Sequence, residues 1–540
     1  MTLLSVRDLS LGIHNSVILR RVSVSIPAGG TLALVGESGS GKSLTALSIM
    51  RLLPHGSRAS GSVDFAGRDL MTLDERTLCT VRGLQIGMIF QEPMTALNPV
   101  MTIGDQVAET LRIHGNDPPA AARAIASERL DRVGLPPDRF PRSLYPHQLS
   151  GGQRQRVCIA MAVAMRPKLL ICDEPTTALD VSTQARILSL LRSLVADEGM
   201  ALLLITHDLA VVAETADHVA VMHQGQVVES GPTRTVFRTL SHPYTRKLFA
   251  ATSHTPSRKG IMGSALLKVR SIDRIYRLPR SRLLAPPSTF RAVRDVSFTL
   301  HSGESLGLVG ESGCGKSTLT RVLLGLDPAA SGRVFLDGDI ITATAPVPHH
   351  VRRKVQAVFQ DPFASFNPRH RVERLVAEPL HLNKKRLSGT ERRKRVADAL
   401  VRVGLDAADM EKFIHEFSGG QRQRIAIARA LVLQPRLIVF DEAVSALDVS
   451  IRARILDLLA DLQGSLGLTY LFISHDLSVV SAICDRVLVM KDGRIVEEGV
   501  PNDIFSNPTH SYTRSLLAAV PRIPSGWTPE ATGARAPSAR

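Results

Sequence analysis

One eight-residue loop occurs twice. GESGSGKS at 36–43 returns as GESGCGKS at 310–317, with seven of eight positions identical. The repeat extends well beyond the loop. Lys42 and Lys316 are 274 residues apart, and Gln91 and Gln360 are 269 apart. From there the spacing locks: Ser150 to Ser418, Asp173 to Asp441, His207 to His475 and Tyr244 to Tyr512 are each separated by 268. So long a period signals duplication of a whole domain rather than a solenoid of small units. A chain of 540 residues suits two domains of roughly 250. The expected division is a first domain over 1–250, a polar linker over 251–265, a second domain over 266–520 and a disordered tail over 521–540. That tail holds the one tryptophan, Trp527.

Within each copy the pattern alternates strand, loop and helix. TLALVG and SLGLVG are short apolar runs that end in the glycine loop, and a helical spacing follows each. LLICDE (169–174) and LIVFDE (437–442) are apolar runs ending in two carboxylates, while ALLLITHD (201–208) and TYLFISHD (469–476) end near a histidine. Apolar runs buried on both faces and alternating with helices predict an α/β fold with a mainly parallel sheet. In such sheets the chemistry gathers at the strand C-termini, where these polar residues fall.

Composition narrows the class. Hydrophobic residues at 44% with 21% charged describe a folded, soluble chain. Stretches such as VCIAMAVAM (157–165) fall short of the ~20 residues that cross a bilayer, and the N-terminus lacks a secretion-signal pattern. Cys79, Cys158, Cys172, Cys314 and Cys484 are scattered singly, as in a reducing cytoplasm, and form no close metal-binding pair. The net charge, 66 − 50 = +16, suits anionic partners in general. Aromatics at 4% offer little for stacking single-stranded nucleic acid, and no nucleic-acid partner is expected.

The loop fits the Walker A pattern G-x-x-x-x-G-K-S. Gly36, Ser38, Gly39, Ser40 and Gly41, and likewise Gly310, Ser312, Gly313, Cys314 and Gly315, would turn backbone N–H groups toward phosphates at a helix N-terminus. Leu44 and Thr318 continue that first helical turn. Lys42 and Lys316 would reach the β- and γ-phosphates, and Ser43 and Ser317 would ligate Mg²⁺. Cys314 in place of Ser40 reads as a neutral change, since this position offers backbone rather than side chain to the phosphates; the alternative is that a thiol beside a cationic loop could be reactive. Asp173 and Asp441 are placed for the Mg²⁺ shell, and Glu174 and Glu442 are candidate general bases for an attacking water. His207 and His475 could be satisfied polar groups or γ-phosphate contacts, and their repeat at fixed spacing favours the latter. LSGGQRQRV and FSGGQRQRI give each copy a second anion site, with Ser150 or Ser418 capping the helix and Gly151, Gly152, Gln153 or Gly419, Gly420, Gln421 opening it.

In that order, Walker A, a glutamine loop, S-G-G-Q, the Asp-Glu strand, S/T-A-L-D and a terminal histidine resemble the motif set of ABC ATPases, over nearly all of both halves. FQEPMTALNP, FQDPFASFNPR, YPHQLSGGQRQRV, HPYTRKLFAA and HSYTRSLLAAVP are similar to the importer ATPases of the dipeptide/oligopeptide/nickel subfamily. The halves look like that subfamily's two usual ATPase subunits, fused. The resemblance implies two tandem P-loop domains, each with a helical subdomain, closing head to tail on two ATP molecules. Gln91 and Gln360 would then join the Mg²⁺ and water contacts. Lys42, Gln91, Asp173, Glu174 and His207 would work with Ser418 and Gly420, and Lys316, Gln360, Asp441, Glu442 and His475 with Ser150 and Gly152, with Asp180 and Asp448 between the halves. It implies ATP and Mg²⁺ as cofactors, and ATP hydrolysis coupled to import of peptides, or of nickel or another small ligand. The implied partners are two integral membrane permease subunits and, indirectly, an extracytoplasmic binding protein. The implied location is the cytoplasmic face of the plasma membrane.

Two departures stand out. The segment after HPYTR lacks the cysteines found in many relatives, so no iron–sulfur cluster is expected. The adenine-stacking aromatic of the family falls on Tyr276 in the second half, but its counterpart in the first is Ile13, with His14 next door. A ribosome-associated tandem ATPase would need a long charged linker, and a DNA-repair ATPase would need zinc-binding cysteines. Neither is present in this sequence.

Overall fold

The computed structural model describes all residues except 116–117, 178, 259–262, 278–288, 342–346, 360–364, 384, 386, 445–446 and 528–540, and the side chains of 93 and 94. The chain forms two compact units, residues 1–252 together with 520–540, and residues 253–519.

Each unit is built on a six-stranded sheet with the same strand order. In the first it runs Gln226–Pro232, His218–His223, Thr31–Val35, Ala201–Ile205, Leu169–Asp173 and Ile86–Ile89. All neighbours pair in parallel except the antiparallel edge strand Gln226–Pro232. The second repeats it with Arg494–Gly499, Arg486–Lys491, Ser305–Val309, Thr469–Ser474, Leu437–Asp441 and Val355–Val358. Thr31–Val35, Leu169–Asp173 and Ala201–Ile205 are buried along their whole length, with apolar runs broken only at their ends by Thr31 and Asp173. A four-stranded antiparallel sheet completes each unit, with Thr2–Ile13 or Ala265–Arg277 paired on both sides.

A helical region packs beside each sheet. In the first unit Ile103–Gly115, Pro119–Arg132 and Gly151–Ala162 share a core that includes Val107, Leu111, Leu130, Val157 and Ile159. Among the described residues no helix is long and apolar enough to cross a membrane.

Two expected boundaries read differently in three dimensions. Within the segment expected as linker, Arg258 pairs with Asp485 at 2.8 Å and donates to Gln463 Oε1 at 3.2 Å, tying this stretch to the second unit. The tail was expected to be disordered from 521. Instead Trp527 sets its indole edge-on to Phe237 at 6.4 Å, and Arg238 Nε donates to the Gly526 carbonyl at 3.0 Å. An indole gains enough from an apolar neighbour to hold a short polar segment down. Composition alone misses such a contact. Residues 528–540, and 278–288 of the 277–289 insertion, lie outside the described residues.

Candidate active sites in the two units

The buried strand Thr31–Val35 delivers the chain to Gly36, and Ser305–Val309 delivers it to Gly310. Both glycines have φ near +155°, at +153° and +155°. A Cβ on Gly36 would stand 2.3 Å from the Met222 carbonyl oxygen, and one on Gly310 would stand 2.3 Å from that of Met490. Only glycine fits there. Ser38 and Gly39, with Ser312 and Gly313, form the exposed crest of each loop, while Ser40 and Cys314 point inward and are buried. Gly41 and Gly315 then cap the helices Lys42–Ile49 and Lys316–Leu323, which carry Leu44 and Thr318 in their first turns.

Each lysine folds back over its loop. Lys42 Nζ donates to the carbonyls of Gly36 at 2.9 Å and Glu37 at 3.0 Å. Lys316 Nζ does the same with Gly310 at 2.7 Å and Glu311 at 2.9 Å. The chemistry of this cradle suits a phosphate chain: a buried ammonium, helix N-terminal amides, and a buried Ser40 hydroxyl with no hydrogen-bond partner.

At the ends of the neighbouring strands stand the carboxylates. Ser43 Oγ donates to Asp173 Oδ1 at 3.0 Å. Burial pushes Asp173 up, the Ser43 bond holds it down, and the Glu174 charge adds to the rise against Lys42. These hard oxygens on a serine and an aspartate match what Mg²⁺ takes. Glu174 is the hub of the first site. Its Oε2 accepts from Gln91 Nε2 at 3.0 Å and from Thr177 Oγ at 2.9 Å, and its Oε1 lies 3.3 Å from His207 Nδ1. Burial works against the charge on Glu174, but His207, Thr177 and Lys42 outweigh it and bring the carboxyl down to about 2. Glu174 and Glu442 both hold φ near +50°, at +49° and +53°, a costly conformation for a non-glycine residue. In the second site His475 Nδ1 lies 3.4 Å from Glu442 Oε1. Burial first, and then the Glu442 charge, raise Asp441 to about 6 against the pull of Lys316. Gln360 lies outside the described residues.

Sequence reasoning gave Thr177 no role beyond its place in T-A-L-D. Its signal was the three-residue spacing from Glu174, which brings a hydroxyl back onto a carboxylate at a strand-to-loop turn. The corresponding Ser445 lies outside the described residues.

The S-G-G-Q serines act as helix caps. Gln153 N–H donates to Ser150 Oγ at 3.4 Å while Ser150 N–H donates to Gln153 Oε1 at 2.8 Å, and Ser418 with Gln421 repeats this at 3.4 and 3.0 Å. Ser150, Gly151, Ser418 and Gly419 are exposed, and Gly152 and Gly420 lie less open behind them. Asp180 caps the helix Val181–Glu198 by accepting from Thr183 N–H at 3.0 Å, whereas Asp448 precedes Val449–Leu466 without a side-chain cap bond.

Tyr276 lies at the end of the strand Ala265–Arg277, donating to Asp327 Oδ2 at 3.1 Å with the Arg274 guanidinium 4.5 Å from its ring centre. Ile13 packs against the core of its unit, and a Cβ on Gly56 would stand 2.8 Å from the exposed His14 ring. Cys314 fits the neutral reading rather than the reactive alternative. Burial pushes its thiol up by more than Lys316 Nζ, 3.9 Å away, pulls it down, so the thiolate is disfavoured.

Comparison with known proteins agrees with this geometry. A model of the family described as ABC transporter matches residues 19–177 and 293–445. One described as oligopeptide/dipeptide transporter, C-terminal region, matches 228–269 and 496–539. The chain is 48% identical over 525 residues to the peptidoglycan transport ATP-binding protein YejF of Agrobacterium fabrum, covering 96% of each. It is 47% identical over 541 residues to the glutathione import ATP-binding protein GsiA of Escherichia coli, covering 93% of this chain and 86% of that one. With two matched nucleotide-binding domains and full-length relatives at nearly half identity, the chain belongs to the ABC transporter family, as an ATP-binding protein that carries both ATPase domains in one polypeptide.

Proposed function

We propose that this ATPase powers import of peptides through a separate membrane permease. The observation that carries the reading is the pairing, in each half, of an ABC transporter domain match with a C-terminal segment of the oligopeptide/dipeptide transporter type. The relatives named for glutathione import and for peptidoglycan transport support a peptide cargo.

In this reading the glycine loops and the Lys42 and Lys316 ammonium groups hold the phosphates. Ser43 with Asp173, and Ser317 with Asp441, would hold Mg²⁺, assisted by Gln91 and Gln360. When bound, the ion would neutralise phosphate charge and align the terminal phosphate for attack by water. Glu174 and Glu442 orient that water and accept its proton. A carboxyl at about 2 accepts protons poorly. In this cycle His207, 3.3 Å from Glu174, turns from that carboxylate to the phosphate and so lifts its hold on the base, and His475, 3.4 Å from Glu442, makes the same turn. Tyr276 stacks on adenine in the second site. The protein sits peripherally on the cytoplasmic face of the membrane, bound to two permease subunits that receive cargo from an extracytoplasmic binding protein.

Affinity purification of the tagged full chain from detergent-solubilised membranes tests this. Two integral membrane proteins should copurify, and ATP hydrolysis by the complex should rise when peptide-loaded binding protein is added. Recovery with ribosomes or DNA and no membrane protein would overturn the reading.

A further inference from the structure

In both units one tyrosine of the C-terminal segment reaches the phosphate loop. Glu37 N–H donates to Tyr244 Oη at 3.0 Å, and Glu311 N–H donates to Tyr512 Oη at 2.9 Å. The amide that makes this bond shares a peptide plane with the preceding carbonyl, of Gly36 or Gly310. That carbonyl accepts from the loop lysine at 2.9 or 2.7 Å. One rigid plane is therefore held on its N–H side by a phenol and on its C=O side by the lysine.

We propose that Tyr244 and Tyr512 are positioning residues that set the orientation of this peptide plane, and through it the placement of the lysine that meets the phosphates. The inference rests on the reading of the glycine loops as nucleotide sites. The rings are buried, at 8% and 6% exposure, but against different neighbours. Tyr244 stacks on His223 at 3.9 Å, whereas Lys491 Nζ stands 5.0 Å from the Tyr512 ring centre. Ring packing has diverged between the copies, and the hydroxyl contact has not.

The tyrosines are themselves anchored in the same way twice. The Glu229 carboxylate accepts from the N–H groups of Ser241 at 2.9 Å and His242 at 3.0 Å, and His242 Nδ1 accepts from Tyr244 N–H at 3.2 Å. Glu497 accepts from Thr509 N–H at 2.7 Å and His510 N–H at 3.3 Å, and His510 Nδ1 accepts from Tyr512 N–H at 3.1 Å. A relay of glutamate, histidine and tyrosine thus fixes the helix starts at Pro243 and Ser511 and aims each phenol at the loop. By linkage, a nucleotide that needs the loop in this form must in turn steady the tyrosine's helix.

The test uses the full chain with one site silenced: Tyr244→Phe on a Lys316→Ala background, and Tyr512→Phe on Lys42→Ala, with Mg-ATP as probe. Loss of one hydroxyl partner should weaken ATP binding about 3–10-fold at the surviving site. Tyr244→Ala and Tyr512→Ala, which also remove the ring and destabilise the fold, should weaken it no further than the phenylalanine variants do. In amide exchange, ATP should slow residues 243–252 in the Tyr244 parent but not in Tyr244→Phe. Unchanged ATP affinity in both phenylalanine variants would overturn the proposal, as would affinity that falls in step with thermal stability from Phe to Ala. Failure of the Lys316→Ala and Lys42→Ala parents themselves to bind ATP would instead remove the nucleotide-site reading on which the proposal stands.

Discussion

In the first unit Ser43 donates to Asp173 and Glu174 gathers Gln91, Thr177 and His207 around it. In the second, Ser317 is exposed, no serine bond reaches Asp441 among the described residues, and that carboxyl stands at about 6. Behind the second site Arg452 Nη1 pairs with Asp476 Oδ2 at 2.5 Å and Nη2 donates to the Leu447 carbonyl at 3.1 Å, next to His475. The first unit has an uncharged Gln184 at the matching position. Tyr276 offers an aromatic face where Ile13 has none. The strand order, the glycine φ angles and the lysine grip are the same in both. The copies have kept what the backbone must do around a phosphate and have diverged in the side chains behind it, so two sites of one descent need not turn over alike.

Replacing the glutamates tests that comparison most severely. Glu174→Gln and Glu442→Gln, made singly and together, should leave ATP binding intact while slowing hydrolysis by about 10²–10⁴-fold for each site affected. Single-turnover ATPase measurements show whether the halves contribute equally. A double variant with the parent rate would remove both residues from the role of base.

Next in size is adenine stacking. A base stacked on an aromatic ring is worth roughly 1–3 kcal/mol, so Tyr276→Ala should weaken ATP binding at the second site about 5–100-fold. Ile13→Ala should change the first site little, and Ile13→Tyr should tighten it. Nucleotide titrations on Lys42→Ala and Lys316→Ala backgrounds read the sites separately, and indifference to Tyr276→Ala would leave the asymmetry without this cause.

The smallest effect sharpens the comparison through stability. Arg452→Gln copies the first unit into the second and removes the guanidinium from Asp476, which keeps its hydrogen bonds from Ser478 and Val479. Loss of that charged partner should cost about 1–2 kcal/mol and lower the second unit's thermal midpoint by roughly 2–4 °C. Calorimetry on Arg452→Gln and Gln184→Arg should show opposite shifts, and no loss in the former would mean the pair adds nothing to the fold.

Much of this was legible from residue order. The 268-residue period, the glycine loops and the apolar runs ending in Asp-Glu or near His determined two parallel-sheet α/β units and pointed to the strand ends where Asp173, Glu174 and His207 gather, because each feature is a local demand of backbone on sequence. Gly36 can only be glycine beneath the Met222 carbonyl, and the interior of a strand buried on both faces is held by apolar residues such as Leu32, Ala33 and Leu34. The sequence could not show that Thr177 bonds Glu174, that burial outweighs Lys316 at Cys314, or that Trp527 settles on Phe237. Nor could it show that Tyr244 meets an amide 207 residues earlier in the chain. Such contacts join groups remote in sequence and impose no pattern on their neighbours, and a pKa depends on the solvent and charge that the folded chain leaves around a group. Only the tertiary structure decided them, because it alone sets which distant atoms come within hydrogen-bonding distance.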